Sequence, residues 1–357
     1  ARVGAYKQEN GLPVLDEARE QEVLARKSVA VSDPARRADV TALYETIMGL
    51  SRRQQRNLVN EAGNEGYRQI REAISHSRAP LTAPRVLYQG EPGAYADEAA
   101  ALFFGEDVPR AHVETWEDIF LALREGRADY GVLPIENSTA GDIRQTYDLL
   151  AKYNFYICKR TQIKINHCLA AKPGADIKTI YSHEQALKQC FGFLKGYPAR
   201  QVPYANTALA AEMVANSDDN TIAAICSERC AELYGLETVK RDIAANPDNT
   251  TRFICISKRP EVTPDADIIS ICMSLPHTTG SLYRMLIRFA LYGLNITKIE
   301  SAPVPQAKQD IKRETFDVVF YLDFEGNALD PEVVRLMTIL EEEMKYFKFL
   351  GNYKHFD

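Results

Sequence analysis

Apolar positions change rhythm twice along this chain of 357 residues. Val40, Leu43, Ile47, Leu50 and Leu58 fall at roughly helical spacing with no proline among them, which predicts a helix over 36–77. A shorter helix is predicted over 17–28, with Asp16 as its cap and Glu17 and Glu20 near the positive end of its dipole. No strand pattern precedes residue 85, and residues 75–84, with Pro80 and Pro84, form a linker. From Arg85 short apolar runs at 85–89, 130–134, 179–182, 221–225 and 253–257 alternate with helical stretches at 94–104, 116–125 and 207–215. Such alternation predicts α/β layers with largely parallel sheets, whose ligands bind beyond the carboxyl ends of the strands. After a second linker at 260–265 the rhythm changes again. Strands at 268–274, 296–300, 316–324 and 347–353, with helices at 279–292 and 331–346, follow the βαββαβ order of a ferredoxin-like unit. The expected fold is therefore multidomain: an all-α segment over 1–77, an α/β part over 85–265 and an α+β part over 266–357.

Composition narrows the function. A net charge of −6 argues against nucleic acid as a partner, since no basic stripe would match a phosphate backbone. No apolar run approaches the roughly 18 residues of a membrane span. The seven cysteines are odd in number and form no Cys-x-x-Cys, so structural thiols and a cytoplasmic, reducing setting are expected. Six scattered histidines make no ligand pair, and no protein-bound metal is expected. The sequence begins at Ala1 without Met and is expected to start at a fragment boundary.

Four polar turns stand where α/β strands end. Pro134-Ile135-Glu136-Asn137-Ser138 breaks a buried strand. Ser182 is placed to cap a helix, with Gln185 three residues on completing a capping box, and the same helix carries Gln189. Asn206 and Thr207 open an Ala-rich helix, and Asn249-Thr250-Thr251-Arg252-Phe253 leads into a strand. Each alone is an ordinary cap or strand end; together they predict a cleft that binds a small anion. His183, the titratable residue nearby, reads as a helix-start histidine that transfers no proton.

In order and spacing these four segments resemble prephenate dehydratase, with the likeness running over residues 85–353. The resemblance implies two α/β lobes like those of periplasmic binding proteins, with the substrate between them. It also implies loss of water and CO2 from prephenate to give phenylpyruvate, with no cofactor. Thr251 is then the catalytic residue that donates to the departing hydroxyl. Glu136, Asn137, Ser138, Ser182, Gln189, Asn206, Thr207, Arg252 and Phe253 are the implied substrate-binding set, with Arg252 equally readable as a structural ion-pair residue. Arogenate dehydratase, which differs by the substrate's amino group, stays open beside it, as does a non-catalytic amino-acid sensor.

The C-terminal unit resembles the ACT domain of that family, which binds phenylalanine as an allosteric inhibitor. Gly280, Ser281, Leu282, Glu300 and Ser301 are the implied effector residues, while Ala302 departs from the usual Glu-Ser-Arg-Pro and Gly351-Asn352-Tyr353 lacks a following proline. The N-terminal segment resembles the all-helical chorismate mutase often fused to this dehydratase. That likeness assigns Lys7 and Gln55 to the ether oxygen of chorismate, Arg19 and Ser51 to a carboxylate and Glu20 to the hydroxyl. In the family most of the first helix, with two further arginines, lies upstream of Ala1, and the module is shared across a homodimer or homotetramer.

Overall fold

The computed structural model describes residues 2–59, 68–275, 278–303 and 318–356. Helices Arg2–Glu9, Glu17–Val29 and Arg37–Val59 form the N-terminal segment. Asp16 caps the second as expected, its carboxylate accepting the Arg19 N–H at 3.0 Å. The helix expected over 36–77 is described as two pieces, Arg37–Val59 and Arg68–Ser75; its continuity through 60–67 lies outside the described residues. The second piece belongs to another core. Ile70 and Ala73 are buried among Phe347, Leu336 and Met273 of the C-terminal unit.

Two sheets carry the middle of the chain. β1 Val86–Gln89, β2 Arg110–Val113, β3 Tyr130–Asn137, the short β4 Gly141–Asp142 and β5 Tyr156–Lys164 belong to the first. The chain then crosses to β6 Cys168–Ala171, β7 Thr179–Ser182, β8 Arg200–Pro203, β9 Ile222–Cys226 and β10 Glu237–Lys240, ordered β10-β6-β9-β7-β8. β11 Thr250–Ser257 returns to the first sheet and lies antiparallel between β5 and β3. The C-terminal unit follows as β12 Ile268–Ser274, helix Ser281–Leu291, β13 Ile296–Pro303, β14 Val318–Glu325, helix Pro331–Glu343 and β15 Phe347–Phe356, in the expected βαββαβ order. Phe316, where the third of these strands was expected to begin, lies outside the described residues.

The sheets are mixed, not largely parallel. β1 with β2 and β3, and β7 with β8 and β9, pair parallel. β11 with β3 and β5, β6 with β9, and β10 with β6 pair antiparallel. The cause is connectivity: the chain leaves the first lobe along β5 and re-enters it along β11, and an outgoing strand beside its returning one must run the opposite way. β5 escapes a search for apolar runs because Lys159, Arg160, Gln162 and Lys164 interrupt it. β6, β8 and β10 are four-residue strands, too short to show a period.

One strand joins the C-terminal unit to the first lobe. β15 pairs antiparallel with β12 through Met273–Phe347 to Ile268–Tyr353, then parallel with β5 through Lys354–Lys159 to Phe356–Thr161. The joined sheet runs β13-β14-β12-β15-β5-β11-β3-β1-β2. A core continuous across the join packs Leu350 and Tyr353 with Ile157, Ile254 and Tyr147. At the crossing point the backbone of Gly351 lies on that of Ile157, and a Cβ at 351 would sit 2.1 Å from the Ile157 carbonyl oxygen. Gly351→Ala is expected to lower the unfolding free energy by about 3 kcal/mol, since a backbone collision has no flexible side chain to absorb it. Urea denaturation of the variant and the parent, compared at their midpoints, checks this.

Candidate functional site

The site is built where β3 and β11 end side by side. Their register sets Thr251 opposite Asn137 and Arg252 opposite Glu136, with a bulge before Phe253 faces Pro134. Successive strand residues point to opposite faces. The paired ends therefore present one chemistry on each face.

On the first face Asn137 is the organiser. Its Oδ1 accepts the backbone N–H groups of Thr139 at 3.0 Å and Ala140 at 2.9 Å. Those two donors fix which end of the amide is oxygen. The Nδ2 end donates to Thr251 Oγ1 at 2.9 Å, to Asn249 Oδ1 at 2.9 Å and to the Thr250 carbonyl at 3.2 Å. Thr251 Oγ1 is thus an acceptor within the protein, which leaves its own proton available to a ligand. At 8% exposure the hydroxyl works in a largely water-excluded place. Ser138 closes the turn: its N–H donates to the Thr250 carbonyl at 2.8 Å and its hydroxyl accepts the Thr250 N–H at 2.9 Å. Thr139 and Asn246 extend the network through Asn249 Oδ1.

The second face is ionic. Arg252 pairs with Glu136, and Lys298 on β13 reaches the same carboxylate at 3.0 Å. Lys298 also pairs with Asp142, whose second neighbour is the Tyr147 hydroxyl, donating at 3.0 Å. Burial opposes ionisation of Asp142, but the hydrogen bond and charge of Lys298 hold its carboxyl below the usual range. Glu300 lies against Asp142, and burial, followed by that acid, pushes its carboxyl up. Arg252 is thus engaged in an ion pair in the single chain.

In the second lobe the candidates are each engaged by a different group. Ser182 does not cap the helix: it is fully buried and its hydroxyl donates to the Ile225 carbonyl at 2.6 Å. The cap is His183, whose Nδ1 accepts the Gln185 N–H at 3.2 Å, because the helix starts one residue later, at Glu184. Gln189 Oε1 meets His167 Nε2 at 2.9 Å, and burial lowers the His167 pKa. Asn206 caps helix Thr207–Asn216 as expected, accepting the Leu209 N–H at 2.7 Å. Phe253 is a core residue between Val86, Tyr88 and Cys255.

The N-terminal candidates are close but separately engaged. Gln55 Nε2 donates to Ser51 Oγ at 3.0 Å, while its Oε1 is buried without a partner among the described residues. Glu20 pairs with Arg52, Lys7 donates to the Val14 carbonyl at 2.8 Å, and Arg19 pairs with Glu22 at the surface. Glu20 and Arg52 also line a cavity of about 780 Å³ whose far wall is helix Ser281–Leu291 with Ser281, Arg284 and Arg288. Gly280 opens that helix at φ 80°, a conformation glycine adopts readily. Ser281 donates to the Thr278 carbonyl at 2.9 Å, whereas Leu282 and Ser301 are exposed and Glu300 points away to Asp142. Gly280, Ser281 and Leu282 thus stand at the start of that helix, and Glu300 and Ser301 on β13.

Three functional-looking residues had escaped the sequence. Asn249, 2% exposed, is bound by Asn137 and could have been read from its place in the turn. Lys298 and Asp142 come from distant segments and left no signal. All seven cysteines are buried and no disulfide joins them, and no helix among the described residues is long and apolar enough to cross a membrane. Among the described residues no three His, Cys, Asp or Glu side chains are grouped to hold a metal.

Comparison with known proteins agrees with this geometry. A family model described as prephenate dehydratase matches residues 86–261, and one described as chorismate mutase type II matches residues 1–56. A bifunctional chorismate mutase/prephenate dehydratase of Neisseria gonorrhoeae is 32% identical, over 80% of this chain and 78% of its own. An arogenate dehydratase/prephenate dehydratase of Arabidopsis thaliana is 36% identical, over 75% and 71%. The crystal structure of prephenate dehydratase from Arthrobacter aurescens in complex with L-Phe superposes with a TM-score of 0.65 at 31% identity, covering 75% of this chain and 89% of that one. The chain belongs to the prephenate dehydratase family and carries the chorismate mutase module of its bifunctional members.

Proposed function

We propose that the chain converts prephenate to phenylpyruvate in phenylalanine synthesis, with Thr251 assisting departure of the ring hydroxyl. The observation that carries this reading is the Asn137–Thr251 contact, in which an amide of fixed orientation donates to Thr251 Oγ1. The electron pair of the breaking C–CO2 bond completes the aromatic ring as the opposite C–O bond breaks. CO2 departs, and the hydroxide leaves as water on taking up a proton. Aromatisation supplies the drive, so the protein needs to position the dianion and stabilise the leaving oxygen. A threonine is a weak acid, and the Asn137 hydrogen bond helps by stabilising developing charge on Oγ1. Arogenate carries the same leaving group, and the Arabidopsis relative named for both acids makes it the second substrate to assay.

The N-terminal module is read as a chorismate mutase, acting on chorismate by positioning and electrostatics. Leu43, Ile47 and Leu50 form an apolar stripe exposed in the single chain, which favours a homodimer or homotetramer that covers it. The βαββαβ unit is read as the ACT domain, with phenylalanine as inhibitor, and seven buried cysteines without a disulfide favour a cytoplasmic setting.

Thr251→Ala is expected to lower kcat for phenylpyruvate formation by roughly 10²–10⁴-fold while leaving the thermal unfolding profile unchanged. Normal turnover in that variant would remove Thr251 from the mechanism. Phenylalanine is expected to suppress phenylpyruvate formation by the unaltered chain. Undiminished rates at saturating phenylalanine, with binding absent by calorimetry, would leave the C-terminal unit without its assigned effector.

A further inference from the structure

We propose that Lys298 is a positioning residue for the dehydration: from the C-terminal unit it sets the strand ends that carry Asn137 and Thr251. Lys298 belongs to β13, while Glu136 and Asp142, its two partners, belong to β3 and β4. Glu136 and Asn137 are consecutive, and so are Arg252 and Thr251, so the ionic face and the catalytic face share two backbones. The Lys298 side chain is 15% exposed, and its ammonium lies over the Tyr147 ring, 5.4 Å from the centroid. The space beside Lys298 and Arg252 amounts to about 20 Å³, room for no more than one water. The Glu136 carboxylate is thus gripped from two sides, by Arg252 of its own sheet and by Lys298 of the neighbouring unit.

With Lys298 removed, Glu136 and Asp142 lose the cation from β13 that they share, and Glu136 keeps no ion pair with β13 to limit movement of the β3 end. A shift of about 1 Å in a catalytic group is enough to cost on the order of a hundredfold in rate. Because Thr251 acts on a bond that breaks, the loss should fall on kcat more than on KM.

This inference rests on the dehydratase reading, and the unaltered chain tests that reading by itself: it either forms phenylpyruvate or does not. Given that activity, Lys298→Met is expected to lower kcat by about ten- to a hundredfold with KM changed less than about threefold. Lys298→Arg, which keeps a cation at the join, should hold kcat within about threefold of the parent. The double variant Lys298→Met with Asp142→Asn removes the carboxylate left without its cation and should regain thermal stability while kcat stays low. Recovery of kcat together with stability would make Lys298 merely structural and overturn the inference. So would an unchanged kcat in Lys298→Met.

Discussion

The pairing of one returning strand governs this molecule. β11 re-enters the first lobe between β5 and β3, and its register with β3 decides that Thr251 meets Asn137 while Arg252 meets Glu136. A slip of one residue would exchange the two faces, placing a guanidinium in the cleft and a hydroxyl among the ion pairs. The register is held from several directions. Ser138 and Thr250 exchange hydrogen bonds at the strand ends, and Phe253, Ile254 and Cys255 anchor the far part in two different cores. The bulge between Arg252 and Phe253 leaves the Thr251 end free to take its own geometry.

Much of this was legible in the sequence, and the parts that were not share a cause. The Asn206 and Asp16 caps depend on contacts two or three residues away, and they were read correctly. Strand ends at Asn137 and Thr251 showed because apolar runs stop there in polar turns. By contrast, the role of Ser182 turns on the Ile225 carbonyl, and that of Gln189 on His167, both reached only through folding. Glu300 carried a motif that pointed to an effector, yet its carboxyl lies against Asp142, from which it is far in sequence. Local chemistry writes itself into neighbouring residues; chemistry between segments distant in sequence does not.

The three parts of the chain are also less separate than their rhythms suggest. Ile70 and Ala73 extend the helical segment into the C-terminal core, and the 780 Å³ cavity has walls from both ends of the chain. Arg78 and Tyr130 share the Glu261 carboxylate, which ties one linker to the other beneath the first sheet. Contacts of this kind let a ligand of one part bias another, provided it favours one arrangement over a second.

The stitching strand β15 bears on how the protein is made. Residues 354–356, which complete the first sheet beside β5, are synthesised after every other strand described in that sheet. Until they leave the ribosome, the β5 edge of the dehydratase lobe offers open backbone donors and acceptors to any passing strand. The first lobe is therefore finished only once the C-terminal unit has been made, and a nascent chain stalled before residue 354 would expose that edge to aggregation.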